Sequence, residues 1–231
     1  MRKTGFKILL AGMLAMTLLA TGCIKEETSI GKFGAVTNGI YLYSDLAVQD
    51  STVEEFDTKK YDLAEYRKLL DEEVKAYNTA NEFKPGDKEL RKDYEPDYVT
   101  PVTVVKCEVS GGKIRQQLLY ANATDYANYR KENISEPAES ENGFTFTVGT
   151  LAKVDPAILP AIFVAPSGNA VNVQELCVSS SAAKYRYVIC DFEALLYGDG
   201  DLVCYTKNAT YDADNLCVQV KGGEKVIAIF K

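Results

Sequence analysis

The sequence predicts an α+β protein with a hairpin-helix-hairpin-helix order in its N-terminal half and a repetitive, β-rich C-terminal half. Three observations carry this expectation. Leu63, Tyr66, Leu70, Val74 and Tyr77 recur at steps of three and four, the period of one buried helix face. Residues 102–120 alternate apolar and polar side chains about Gly111 and Gly112, as a glycine-turned hairpin does. Cys177, Cys190, Cys204 and Cys217 are separated by 13, 14 and 13 residues, and each follows Leu, Ile or Val.

Residues 1–22 are set apart from the fold. Arg2, Lys3 and Lys7 precede an uncharged run over residues 8–19, then Ala20, Thr21 and Gly22 lead into Cys23. This is the three-part layout of a secretory signal peptide. The apolar run of 12 residues is well below the roughly 20 that a membrane-crossing helix needs. Small residues directly before Cys23 resemble the lipobox of bacterial lipoproteins, although Ala20 stands where leucine is usual and Leu19 is one place earlier. The resemblance implies a diacylglyceryl-modified, palmitate-bearing Cys23 as the mature first residue, holding the chain on the outer face of the cell membrane.

Removing residues 1–22, which hold three cations and no acid, takes the net charge from −7 to −10 over 209 residues. Phosphate backbones are bound chiefly through Lys and Arg, so nucleic acid is not an expected partner. Residues 23–38 read as a polar tether, 39–133 as the α+β region and 134–231 as the β-rich region. Within the second of these, residues 40–56 read as a hairpin around Ser44 and Asp45. The helix that follows carries a capping box from Asp62 and Glu65 and an Asp71–Lys75 pair. Residues 82–101 hold Pro85, Pro96 and Pro101 among many charges and read as an excursion from the core. A shorter helix with Tyr126 and Tyr129 closes the half, and the doubled hairpin-helix order raises the question of an internal repeat.

Beyond the polar loop at residues 132–142, Asp155-Pro156 reads as a helix cap. The apolar stretch over residues 157–166 reads as a buried turn and strand, with an exposed docking patch as the alternative. The cysteine spacing fits equivalent positions stacked in a meander or a small β-solenoid. Buried thiols are the favoured state for these side chains, with disulfides as the alternative in an exported chain.

The chain contains no histidine. That removes Ser-His-Asp and Cys-His catalysis and, with no C-x-x-C pair, any ordinary zinc site. Ser181-Ala-Ala-Lys184 matches S-x-x-K but precedes a strand instead of opening a helix. Asp71, Glu72 and Glu73 read as a solvated helix face. Asp199 and Asp201 lie 13 residues before Asp212 and Asp214, so stacked turns would bring four carboxylates to one edge, a weak calcium candidate. Asp and Gly are also what tight turns use, and no cofactor is expected.

Residues 54–78, "EEFDTKKYDLAEYRKLLDEEVKAYN", with "GGEKVIAIFK" at the C-terminus and the signal peptide, resemble a family of uncharacterised lipoproteins from Gram-positive gut anaerobes. The resemblance implies an extracytoplasmic, anchored location and no activity. The expected function is a binding or structural module without catalysis, with a protein or glycan partner outside the cell. The alternative is a carboxylate-dependent envelope enzyme acting on glycan or peptidoglycan, for which two inward-facing carboxylates, one with a raised pKa, would be the sign.

Overall fold

A computed structural model describes residues 38–81, 100–133, 144–160 and 162–231. The predicted signal peptide, Cys23 and nearly all of the tether lie outside these residues, as do most of the Pro-containing excursion and most of the polar loop at 132–142.

The α+β expectation is overturned. Among the described residues 40% are strand and 26% helical, arranged around two β-sheets with three α-helices, so the protein is mostly β. The elements are β1 (Gly39–Leu42), β2 (Val48–Glu55), α1 (Leu63–Ala80), β3 (Val102–Ser110), β4 (Lys113–Tyr120), α2 (Ala123–Asn133) and β5 (Phe146–Thr150). They continue with β6 (Phe163–Val164), β7 (Ala170–Val171), α3 (Val173–Val178), β8 (Arg186–Cys190), β9 (Glu193–Gly198), β10 (Leu202–Tyr205), β11 (Thr210–Asp212), β12 (Cys217–Lys221) and β13 (Val226–Phe230).

The first sheet has the order β11-β12-β9-β1-β2-β4-β3 and the second β5-β8-β13-β10-β6-β7. Ile40 of β1 lies in parallel register with Leu196 of β9, so the first sheet draws strands from both ends of the chain. Hairpins with helices do occur along residues 39–133. They do not make a helical half, because β1 to β4 form one continuous side of this larger sheet and the helices only cover it.

The C-terminal half is neither a meander nor a solenoid. Strands β8, β10 and β13 belong to the second sheet, whereas β9, β11 and β12 belong to the first. Successive strands thus cross between layers. The regular cysteine spacing does not mark stacked repeats. Cys190 on β8 and Cys217 on β12 sit in different sheets, Cys204 on β10 packs into a separate cluster, and Cys177 lies on α3. All five described cysteines are free thiols, four of them buried.

Local chemistry explains the elements that position the site. Asp62 caps α1 by accepting the N–H groups of Ala64 at 2.7 Å and Glu65 at 3.0 Å, satisfying donors the helix leaves unpaired. Leu70, Val74 and Tyr77 form its buried face. Gly111 and Gly112 both take positive φ, 60° and 77°, which a two-residue turn of primed type requires and which L side chains resist. The β3–β4 hairpin follows from that turn.

The main core lies on one face of the first sheet. Leu196, Val218 and Val220 meet Val188, Val226, Ala228 and Phe230 of the second sheet. Over β2, β3 and β4 the helices α1 and α2 replace the second sheet as the cover, through Leu70, Val74, Tyr126 and Tyr129. The outer face of the second sheet carries its own cluster, in which Leu151, Leu159, Val173, Ala182 and Tyr185 pack on Cys204, Ile227 and Ile229. Residues 151–160 and 172–184, with α3 and three short 3-10 turns, form this third layer.

Candidate functional site

Strand alternation places Val48, Asp50, Thr52 and Glu54 of β2 on one side, the side that α1 and α2 cover. Two acids therefore point where the first sheet meets its helices. Directly across, β4 offers Leu118 opposite Asp50 and Ile114 opposite Glu54. The polar partners come from the helices.

Arg130, in the last turn of α2, places Nη1 3.7 Å from the Asp50 carboxylate, with only 11% and 15% of the two side chains exposed. The same nitrogen donates to the Tyr126 hydroxyl at 2.8 Å. The guanidinium also lies over the rings of Tyr126, Phe144 and Phe192, at 5.6, 5.6 and 5.4 Å from their centroids. Phe144 and Phe192 stack at 4.4 Å. A weakly hydrated, planar cation suits such an aromatic surround better than an ammonium would.

Further along the same interface, Tyr129 donates to Glu73 at 2.6 Å and Tyr66 donates to the Gln116 side chain at 2.6 Å. Tyr77 and Tyr129 meet edge to face at 5.2 Å, as do Tyr120 and Tyr126 at 5.1 Å. Glu73 is thus half-buried and tied to α2, whereas its neighbours Asp71 and Glu72 are exposed. The sequence reading of a solvated acidic face holds for those two alone.

Burial dominates the electrostatics. It pushes the Asp50 carboxyl up, with the Arg130 charge pulling it partly back. It also pushes Glu54 up to about 7, aided by the charge on Asp50. Burial followed by the charge on Glu73 raises Tyr129, and burial followed by Cys107, Glu54 and Glu73 raises Tyr66. These phenols stay neutral and act as donors. Burial would lower Arg130, but Tyr126, Asp50 and Tyr120 together hold it above its ordinary value, so it remains a cation. Arg130 pairs with Asp50, and Glu54, raised by burial and then by the charge on Asp50, keeps its proton up to near-neutral pH.

Chemically the cluster can hold a neutral carboxylic acid, a carboxylate and several phenols in one interface. An open depression runs beside α1, lined by Asp62, Arg67, Asp71 and Lys75, and none of the cluster's residues lines it. On the opposite edge of the α1 contact, the Arg67 guanidinium donates to the Cys107 carbonyl, which pins the helix to β3.

The sequence-predicted residues lie elsewhere. Cys23 is outside the described residues. Asp199 and Asp201 occupy the turn after β9, where the Asp199 N–H donates to the Leu42 carbonyl at 2.8 Å and the Asp201 carbonyl accepts from Lys231 at 3.0 Å. Asp212 and Asp214 occupy the β11–β12 turn. Asp212 accepts the N–H groups of Asp214 and Asn215, both at 3.0 Å, and the side chains of Asn215 and Gln219 at 2.8 and 3.1 Å. Those bonds, Asn215 foremost, hold it below the usual carboxylate range. Its oxygens are occupied in shaping the turn. Among the described residues no three Asp, Glu or Cys side chains come together as a metal ion would need. Ser181 shares a hydrogen bond with Ser179 at 3.1 Å and precedes the short turn Ala182–Lys184, not an α-helix.

Sequence reasoning missed Asp50, Glu54, Glu73 and Arg130. A signal existed: β2 reads V-Q-D-S-T-V-E-E, with acids at two of the four positions that share a face with Val48. Tyr126, Tyr129 and Arg130 have the matching spacing on α2.

Compared with family models, with curated proteins and with solved structures, the chain matches none of them.

Proposed function

We propose that this chain is a lipid-anchored lipoprotein on the outer face of the cell membrane, acting as a binding or structural module without catalysis of its own. The observation that carries this reading is the pairing inside the cluster. Asp50 is matched by Arg130, Glu73 by Tyr129 and Gln116 by Tyr66. Such pairs fix α1 and α2 on the first sheet and engage these three polar side chains in holding the fold. The lipobox-like residues before Cys23, the mature charge of −10 and the resemblance to gut-anaerobe lipoproteins support the location. A protein or glycan outside the cell is the partner this reading implies, and nucleic acid is not.

The test is a comparison in cells of the anchored protein with a secreted form lacking Cys23. Anchoring raises the effective concentration of a binding module at the membrane, so release should remove most of the phenotype. A pull-down from intact cells with the anchored protein as bait should recover a partner.

One observation favours a second reading, a carboxylate-dependent envelope enzyme acting on glycan or peptidoglycan. Glu54 is half-buried, has no hydrogen-bond partner among the described residues and titrates at about 7, near the operating pH that a general acid needs. Glu54→Gln in the anchored, folded protein separates the two: a lost phenotype establishes the enzyme, and an unchanged one the module.

A further inference from the structure

Among the described residues each sheet ends on two edge strands, β11 and β3 for the first and β5 and β7 for the second. Of these β3 is the longest, with nine residues against three, five and two. A long edge strand offers a row of backbone donors and acceptors to any other strand that meets it. Just before β3 the Pro101 carbonyl accepts from the Ala121 N–H at 2.8 Å, toward β4. Val102 therefore turns its own N–H and C=O the other way, to the open side.

Helix α1 occupies that side with two side chains. Asn78 Nδ2 donates to the Val102 carbonyl at 2.8 Å, and Asn78 Oδ1 accepts the Val102 N–H at 2.9 Å. This is the donor and acceptor pair that a neighbouring strand would supply. Toward the Gly111-Gly112 turn, Arg67 Nε donates to the Cys107 carbonyl at 2.8 Å. The two contacts have matching spacing. Arg67 and Asn78 are 11 residues apart, and Val102 and Cys107 are five apart. Eleven helical residues rise about 16 Å in about three turns, so the two side chains leave one side of α1, while five strand residues rise about 17 Å. The helix thus runs antiparallel to β3 and in step with its edge. Asp71 and Lys75, both exposed, lie on the same stripe between them, and a bulge between Val104 and Lys106 interrupts the edge itself. Leu70, Val74 and Tyr77 hold the helix on the core, independently of these edge contacts.

We propose that α1 stands in for an eighth strand of the first sheet, with Arg67 and Asn78 keeping the β3 edge from pairing with the β3 of a second copy. A second copy is the occupant whose charges fit. In an antiparallel pair centred on Cys107, Lys106 of each chain faces Glu108 of the other, both partly exposed, and opposite charges directly across a strand pair are stabilising. The two-fold axis of such a pair makes each of these contacts twice.

The test compares the full chain carrying Arg67→Ala with Asn78→Ala to its parent, by sedimentation velocity over a range of concentrations and by amide hydrogen exchange. The parent should remain a monomer. In dilute double variant the Val102 amide should exchange faster, because its Asn78 acceptor is gone. At higher concentration the double variant should self-associate at least about tenfold more tightly than the parent. The Cys107 N–H points the same way as its carbonyl, so its exchange should slow in the associated sample. A folded double variant that stays as monomeric as the parent at every concentration overturns the proposal. Association that leaves the Cys107 amide exchanging as fast as in the dilute sample also overturns it, since the contact then lies elsewhere. Should circular dichroism show the double variant unfolded, Arg67→Ala alone, which frees the centre of the pair and keeps Asn78 in place, is read by the same two criteria.

Discussion

The Asp50 carboxylate and the Arg130 guanidinium meet 3.7 Å apart, joining a strand near the start of the domain to the last turn of the second helix. Their surroundings are tyrosine and phenylalanine rings, so neither charge has ready access to water. Removing one partner strands the other, which for a buried pair costs about 3–5 kcal/mol. Arg130→Met should therefore destabilise the protein by that order in urea unfolding. The double variant Asp50→Asn with Arg130→Met should recover much of the loss, because no uncompensated charge remains. Equal stability of the single and double variants would show that the pair is not coupled.

Glu54 gives the domain a pH dependence of definite sign. Its folded pKa of about 7 lies above that of the unfolded chain, so the folded state holds the extra proton. Stability is fully present below the ordinary carboxylate range and is lost as pH rises through 7. After allowance for its partial exposure the change amounts to about 1–2 kcal/mol. Unfolding midpoints measured from pH 5 to pH 8 should fall, and Glu54→Gln should flatten the slope.

The thiols are chemically quiet in the fold. Burial pushes Cys190 and Cys204 up to about 12 and Cys217 to about 11, far from the thiolate that reacts. Alkylation of the native protein should label Cys177 first, since it alone of the five is not buried. All five described cysteines should label after denaturation without reductant. Bridged cysteines in that denatured sample would contradict the free-thiol structure.

Gly198 faces the ring of Phe230, and a methyl group there would collide with it. Phe230 is buried in the main core and ends the last strand. Gly198→Ala should cost about 1–3 kcal/mol through overpacking, seen as a lower thermal midpoint. A stability equal to that of the parent would mean the C-terminal strand shifts freely.

Legibility in the sequence tracks locality. Helix α1 was readable because its cap, its buried stripe and its charge pair all lie within residues 62–77. The β3–β4 hairpin was readable because Gly111 and Gly112 impose its turn. The fold class was not, because the first sheet closes through Ile40 against Leu196, a pairing with no local signature. The even cysteine spacing then suggested a repeat where the chain in fact alternates between sheets. The candidate site failed to show for the same reason. Asp50 looks like an ordinary acid of a surface hairpin until α2 brings Arg130 against it, and Glu54 until burial raises it.

In the proposed reading, lipid on Cys23 holds this fold outside the cell. Mass spectrometry of the protein extracted from producing-cell membranes tests it most directly. A lipid anchor gives a mature N-terminus at Cys23 with the mass of a diacylglyceryl group on its sulfur, and a Cys23→Ser variant that leaves the membrane or stays uncleaved. An unmodified N-terminus at another residue, in a protein that still remains with the membrane, would contradict it.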